Sequence, residues 1–86
     1  MINVKEAVKK AAEYFTDLYH DQFRNLLLEE VELSDGYWLI TLGYDAPSDI
    51  RSVLANKATR RFKLFKIDGD TGEVISMKIR EVEHVE

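Results

Sequence analysis

The loop 68–72 (DGDTG) has the residue types that most resemble a metal-binding or phosphate-binding site. Its two carboxylates stand two positions apart beside two glycines. Calcium-binding loops of this kind need acidic ligands at positions one, three and five and a glutamate at position twelve. Counted from Asp68, the fifth position is Gly72 and the twelfth is Ile79, so both lack a carboxylate. No Gly-Lys-Ser/Thr follows, as a phosphate-binding loop would require. The loop therefore predicts a hairpin turn, with Gly72 in the left-handed conformation.

The other residue types that perform catalysis stand without partners in the sequence. The serines lack a nucleophile-elbow context, and the chain contains no cysteine. His20 falls at the end of a predicted helix, and His84 falls in a charged C-terminal segment. We therefore predict a non-enzymatic protein with no catalytic, metal-binding or cofactor-binding residue.

Composition indicates one small globular domain that spans residues 1–86. The chain is 45% hydrophobic and 33% charged, which is enough apolar content for a single core and argues against disorder. No apolar run approaches the roughly 20 residues of a membrane span, and the N-terminus has no secretion-signal pattern. Since the absence of cysteine also fits a reducing compartment, we expect a cytoplasmic protein that does not contact membranes.

The periodicity of apolar residues predicts the elements that hold this loop. Between Val4 and Tyr19 they recur every three or four positions, which predicts a helix, and Asn3 and Glu6 have the spacing of a capping box. From residue 26 the period changes to two, which predicts strands over about 26–33, 37–44, 59–68 and 73–82. We predict that residues 46–58 form a long, mobile connection between the second and third strands.

The predicted order of elements gives an α+β fold, in which one N-terminal helix packs on a four-stranded antiparallel meander. Asp35-Gly36 predicts a tight turn between the first two strands. Strict alternation would place Leu27, Val31 and Leu33 together on one face of the first strand.

The last hairpin resembles that of PepSY domains, in which an aromatic-rich strand ending in aspartate is followed by a short turn and Thr-Gly-x-Val. The matching residues here are 65–68 (FKID) and 71–74 (TGEV), and they follow a similar helix (VKEAVKKAAEYF) and first hairpin (LLLEEVELSDGYWLITL). The resemblance to PepSY and the related cystatin-like modules implies a non-enzymatic domain that restrains proteases or senses partner proteins.

The third predicted strand is apolar on both of its faces. Phe65 and Ile67 point to one side, and Phe62 and Leu64 point to the other. An antiparallel strand with one wet face normally alternates apolar and polar residues. Three explanations remain open: a bulge re-aims one aromatic, the preceding connection folds over the sheet, or this face binds a partner.

From this anomaly we predict a protein-binding module that acts through its sheet face, as a modulator or inhibitor of a partner protein or as a homodimer. The candidate interface consists of Arg60, Phe62, Leu64, Lys66 and Val74. A small-ligand carrier with a pocket between helix and sheet is an alternative, although the large aromatic residues would more naturally fill that space.

A second alternative is a nucleic-acid binder that uses the basic and aromatic residues 57–66. The sequence pI of about 5.2 argues against this function. Residues 46–66 carry six basic residues against one acidic residue and lie between two acidic segments. This segregation predicts ion pairs between neighbouring strands on the exposed face of the sheet.

The homodimer hypothesis predicts that Leu64→Lys converts a dimer into a monomer without unfolding it, because a charge then enters an apolar contact. Sedimentation velocity of both proteins measures the change, and circular dichroism checks the fold. A parent protein that is monomeric at high concentration would contradict the hypothesis.

Overall fold

The computed structural model of the protein describes residues 1–20, 22–46 and 60–81. Helix α1 (Val4–Tyr19) is followed by four strands: β1 (Arg24–Ser34), β2 (Tyr37–Asp45), β3 (Arg60–Asp68) and β4 (Val74–Arg80). The strands pair as antiparallel neighbours in the order β1-β2-β3-β4. The predicted α+β meander is thus confirmed, and the predicted connection at 46–58 lies outside the described residues except for Ala46.

Helix α1 begins at a side-chain cap and turns one narrow stripe toward the sheet. The Asn3 side-chain oxygen accepts a hydrogen bond from the Glu6 amide at 2.8 Å, which satisfies one of the amide groups left without an intrahelical partner. Ala7, Ala11 and Phe15 lie along the stripe and are fully buried. The two alanines let the helix backbone approach the sheet closely, and the phenylalanine then fills the space beyond them.

Aromatic rings form the centre of the core. The Phe15 ring stacks on Tyr19 with centroids 4.5 Å apart and meets Phe23 edge-on at 4.8 Å. Its centroid also lies 4.7 Å from that of Tyr44 on β2 and 6.3 Å from that of Phe65 on β3. Because one ring contacts the helix, the sheet and the segment between them, this cluster fixes the position of α1 over the central strands.

The faces of β2 and β3 follow their sequence alternation. Ile40, Leu42 and Tyr44 on β2 are buried under the helix, as are Phe65 and Ile67 on β3. The pairing between these strands runs without interruption along their whole length. A bulge in β3 was one explanation for its two apolar faces, and this unbroken register shows that the explanation was wrong.

Bulges occur instead in the two outer strands. In β1 the register shifts between Leu28 and Glu30, and the extra residue, Glu29, reverses the alternation that precedes it. Leu27 therefore pairs with Gly43 and faces away from the helix, whereas Val31 pairs with the buried Ile40. The prediction that Leu27 shares a face with Val31 and Leu33 was wrong for this reason.

The two hairpin turns have the geometry that their sequences predict. Asp35 and Gly36 have φ angles of 51° and 80°, as in the mirror-image turns that match strand twist. In the second turn the Asp68 carboxylate accepts hydrogen bonds from the amides of Asp70 at 2.8 Å and Thr71 at 3.0 Å. Gly72 has a φ of 76° and donates to the Asp68 carbonyl at 2.8 Å. The loop 68–72 is therefore a hairpin turn, as predicted.

Gly69 in this loop joins three parts of the chain. Its amide donates to the Gly36 carbonyl at 2.9 Å, and its own carbonyl accepts from the Ile2 amide at 2.7 Å. The Trp38 indole in turn donates to the Ile2 carbonyl at 3.1 Å. A Cβ on Gly69 would collide with the Gly36 carbonyl oxygen, so only glycine permits this contact between the two turns and the N-terminal segment.

Substitutions in the loop should therefore rank in a defined order. We expect Gly69→Ala to cost about 3 kcal/mol because two backbone segments must separate, and Gly72→Ala about 1–2 kcal/mol because of its positive φ. Asp70→Ala, at an exposed position, should change the free energy of unfolding by about 0.5 kcal/mol or less. Urea unfolding measures all three variants, and a neutral Gly69→Ala would contradict this packing.

Candidate functional site

Four of the five candidate interface residues lie together on the face of the sheet turned away from α1, which we call the outer face. Arg60, Phe62, Leu64 and Lys66 alternate along β3 with the residues buried under the helix. Phe62 and Leu64 are half-buried. The structure thus places the predicted β3 residues on one surface.

Val74, the fifth candidate, is not on the outer face. It pairs with Ile67 and packs against the core on the helix side. The register of β3 and β4 shifts by one residue between Lys66 and Ile67, which leaves Ile75 as the extra residue. Without that bulge Val74 would stand opposite Asp68, on the outer face. The assignment of Val74 to the interface face was therefore wrong.

The guanidinium of Arg60 crosses the outer face from β3 to β1. Its Nη2 lies 2.8 Å from Glu29 Oε1, and its Nη1 lies 3.2 Å from Asp45 Oδ1. Nη1 also donates to the Asn25 carbonyl at 2.9 Å. Asn25 has a φ of 55° and donates from its side chain to the other Asp45 oxygen at 2.7 Å. One cation therefore joins the start of β1, the end of β2 and the start of β3.

Gly43 on β2 makes this crossing sterically feasible. A Cβ at this position would stand 2.7 Å from Glu29 Oε1 and 2.9 Å from Arg60 Nη2, closer than real Cβ atoms come to other heavy atoms. The ion pair therefore lies directly over the glycine. Any side chain there would displace both charged groups from the surface of β2.

A second arginine crosses the same face further along the sheet. Arg80 on β4 donates to the Thr41 hydroxyl at 2.6 Å and to Glu30 Oε2 at 3.2 Å. Thr41 is only 2% exposed, although the helix packs on the opposite face. The Arg60–Asp45 pair joins the neighbouring strands β2 and β3, as the segregation of charge predicts. The pairs of Arg60 with Glu29 and of Arg80 with Glu30 were not predicted, and they link β3 and β4 to β1 across the strands between them.

Two lysines of β3 contact aromatic rings of their own chain. The Lys66 ammonium lies 4.3 Å from the ring centroid of Tyr37, and that of Lys63 lies 5.9 Å from the ring centroid of Tyr19. These are distances at which a cation is attracted to the face of a ring. Because acids and aromatic rings of the same chain engage these cations and Arg60, the geometry argues against a phosphate-binding strip along β3.

β1 carries more exposed apolar residues than any other strand of the sheet, whereas β4 carries two, Ile75 and Ile79, and the apolar residues of β3 are buried or half-buried. Leu28, Val31 and Leu33 are 47%, 37% and 49% exposed, and we call them the β1 apolar band; Leu27, 57% exposed, lies on the outer face. Leu28, Val31 and Leu33 stand on the helix side, opposite the residues of β2 that α1 covers. The helix packs mainly on β2, β3 and β4, so the β1 apolar band lies outside the area that the helix covers.

Sequence reasoning missed this band because alternation makes Val31 and Leu33 look like core residues. The ratio of one helix to four strands nevertheless indicates that part of the sheet is uncovered. A helix with its side chains is about 10 Å wide, and strands lie about 4.8 Å apart. One helix therefore covers two or three strands of a four-stranded sheet and leaves an outer strand uncovered.

The space between helix and sheet is filled with side chains. Phe15, Ile40, Phe65 and Ile67 meet there and have no solvent exposure. This packing argues against the alternative of a ligand carrier with a pocket between the two layers.

Comparisons with known proteins found no relative of the chain. No protein-family model, no curated protein and no solved structure matches the chain. The resemblance to PepSY and cystatin-like domains stays a prediction. In the part of the chain that the structure describes, no three His, Asp or Glu side chains come together as metal ligands. Across the same residues, no helix has the length and apolarity needed to cross a membrane.

The hydrogen bonds around Arg60 predict how the carboxyl group of Asp45 titrates. Hydrogen bonds from Asn25 and then Arg60 hold the pKa of Asp45 below its ordinary value. The ionised carboxylate therefore stabilises the fold above the ordinary pKa, and this contribution is lost as pH falls through the lowered pKa. Arg60→Met should raise the pKa of Asp45 toward its ordinary value, which an NMR titration of the carboxyl carbon measures.

Arg61→Met is the matched control, because it removes the same charge from the adjacent, exposed position. It should leave the pKa of Asp45 near that of the parent protein. Equal pKa values in the parent and Arg60→Met proteins would show that the crossing does not act on this carboxylate.

Proposed function

We propose that this chain is a non-enzymatic protein-binding module whose partner docks on the β1 side of the sheet. The observation that carries the proposal is the β1 apolar band, which combines three partly exposed aliphatic side chains on one face of one strand. Single exposed hydrophobic residues are normal on protein surfaces. A contiguous apolar band beside a sheet edge is instead typical of an interaction surface.

The geometry supports β1 better than the β3 surface that the sequence favoured. On the outer face, Phe62 and Leu64 are half-buried, and the side chains of Arg60 and Arg80 are engaged in ion pairs nearby. A partner docking there would have to desolvate these ion pairs, which costs free energy. The β1 apolar band carries no such cost, because its members are aliphatic.

The resemblance to PepSY and cystatin-like modules points to the same class of function, a domain that modulates or inhibits a partner protein by binding it. A cytoplasmic location and homodimer formation stay predictions beside this one. The absence of cysteine is consistent with a reducing compartment.

The proposal predicts that the double variant Leu28→Ser/Leu33→Ser loses its partner but keeps its fold. Both side chains are about half exposed, 47% and 49%, so each substitution should cost about 1 kcal/mol of stability or less. Removing two leucines from an interface core should weaken binding by about tenfold or more. Affinity capture from an extract of the source organism would supply the partner, and calorimetric titration of the purified partner would give the Kd.

The matched control is Val4→Ser/Leu18→Ser, which removes aliphatic side chains of similar exposure, 37% and 52%, from the helix. It should bind the partner as the parent does. Equal losses in both double variants would mean that binding does not involve the β1 apolar band, and the proposal would fail.

A further inference from the structure

We propose that β1 binds its partner by strand addition, and that the added strand alternates basic and apolar residues. This inference rests on the proposed function, because it names the kind of partner that the β1 side accepts. It starts from the position of β1 at one end of the strand order. Among the described residues no strand pairs with its outer edge, so backbone amide and carbonyl groups along that edge point outward.

The two edges of the sheet differ in how open they are to such pairing. Edge strands are usually protected by short length, bulges or lysine, and β4 has all three: it runs only from Val74 to Arg80, contains the Ile75 bulge and carries Lys78. The segment from Glu30 to Ser34 in β1 pairs with β2 without interruption and contains neither lysine nor proline. That segment therefore presents a regular, unprotected edge.

The side chains of this segment specify the chemistry of the added strand. Val31 and Leu33 lie on the helix side, and Glu30 and Glu32 lie on the outer face, paired with Thr41 and Leu39. Residues of an added strand stand directly beside those of β1 on each face. Apolar residues therefore fit beside Val31 and Leu33. Lysine or arginine fits best beside Glu32, which has no ion-pair partner among the described residues, and also beside Glu30, which Arg80 of the same chain contacts at 3.2 Å.

A symmetric pair of β1 strands from two copies fits less well. In an antiparallel register centred on Glu32 the two copies of Glu32 would stand opposite each other, and in one centred on Val31 Glu30 of each copy would stand opposite Glu32 of the other. Like charges directly opposite each other destabilise a strand pair. Pairing of β1 with β4 of another copy would match the charges, since Lys78 and Arg80 share the outer face. That contact joins unlike surfaces, so it would propagate into rings or filaments.

Direct binding of synthetic peptides to the isotopically labelled protein tests the proposal. The probe is the peptide KVKVKVKVK, and the controls are EVEVEVEVE and a version of the probe whose alternate amides are N-methylated, so that it cannot form a strand ladder. We expect NMR shift changes centred on residues 30–34 with the probe alone. Glu32→Lys should weaken binding of the probe about tenfold, whereas Asp17→Lys, the same charge change on the exposed helix face, should have no effect.

Several outcomes would overturn the proposal. Equal binding of the N-methylated peptide would show that no backbone ladder forms, and equal binding of the acidic peptide would show that charge does not select the strand. Shift changes centred on Phe62 and Leu64 would move the site to the outer face. Assembly of the protein alone into large particles, abolished by Glu32→Lys, would identify a second copy as the occupant of β1.

The peptide experiment and the partner experiment fail in different ways. If Leu28→Ser/Leu33→Ser loses the partner while no peptide binds, the proposed function stands and strand addition is wrong. If the basic peptide binds β1 while no partner depends on the β1 apolar band, strand addition stands and the proposed function is wrong.

Discussion

The width of a single helix is the constraint on which this structure depends. Four paired strands present two faces, and one helix about 10 Å wide can bury only part of one of them. The stripe of Ala7, Ala11 and Phe15 packs the helix on the inner strands, where the Phe15 ring meets Tyr44 of β2 and Phe65 of β3. Everything outside that footprint, namely the outer face and the helix side of β1, must be stabilised by other means or remain open to partners.

On the outer face, charged side chains take the place of a second layer. Long arginine side chains lie across neighbouring strands, so their aliphatic parts cover apolar surface while their guanidinium groups bond to carboxylates. The arrangement makes Gly43 a structural residue although it carries no side chain, because Arg60 and Glu29 meet directly above it. Exposed single ion pairs contribute little stability, but each arginine here has two or more partners and holds strands that are not adjacent to each other.

The local parts of the fold could be predicted from the sequence because their causes are local. The Asn3 cap, the Asp35-Gly36 turn and the hairpin at Asp68 each depend on a few neighbouring residues, and all three are present. The inward faces of β2 and β3 also follow from alternation, since neither strand is bulged against the other. What failed was the placement of Leu27 and Val74, because each bulge adds one residue that no local pattern reveals.

The candidate site was harder to predict because it depends on which strand the helix leaves uncovered. Alternation identifies Val31 and Leu33 as one face of a strand, but only the position of α1 decides whether that face becomes core or surface. The Glu29 bulge affects both the ion pairs of the outer face and the edge of β1. It places Glu29 and Glu30 on the outer face, where Glu29 forms an ion pair with Arg60 and Glu30 forms one with Arg80. Beyond the bulge β1 returns to a regular ladder, so the same irregularity that anchors the ion pairs also sets the start of the open edge.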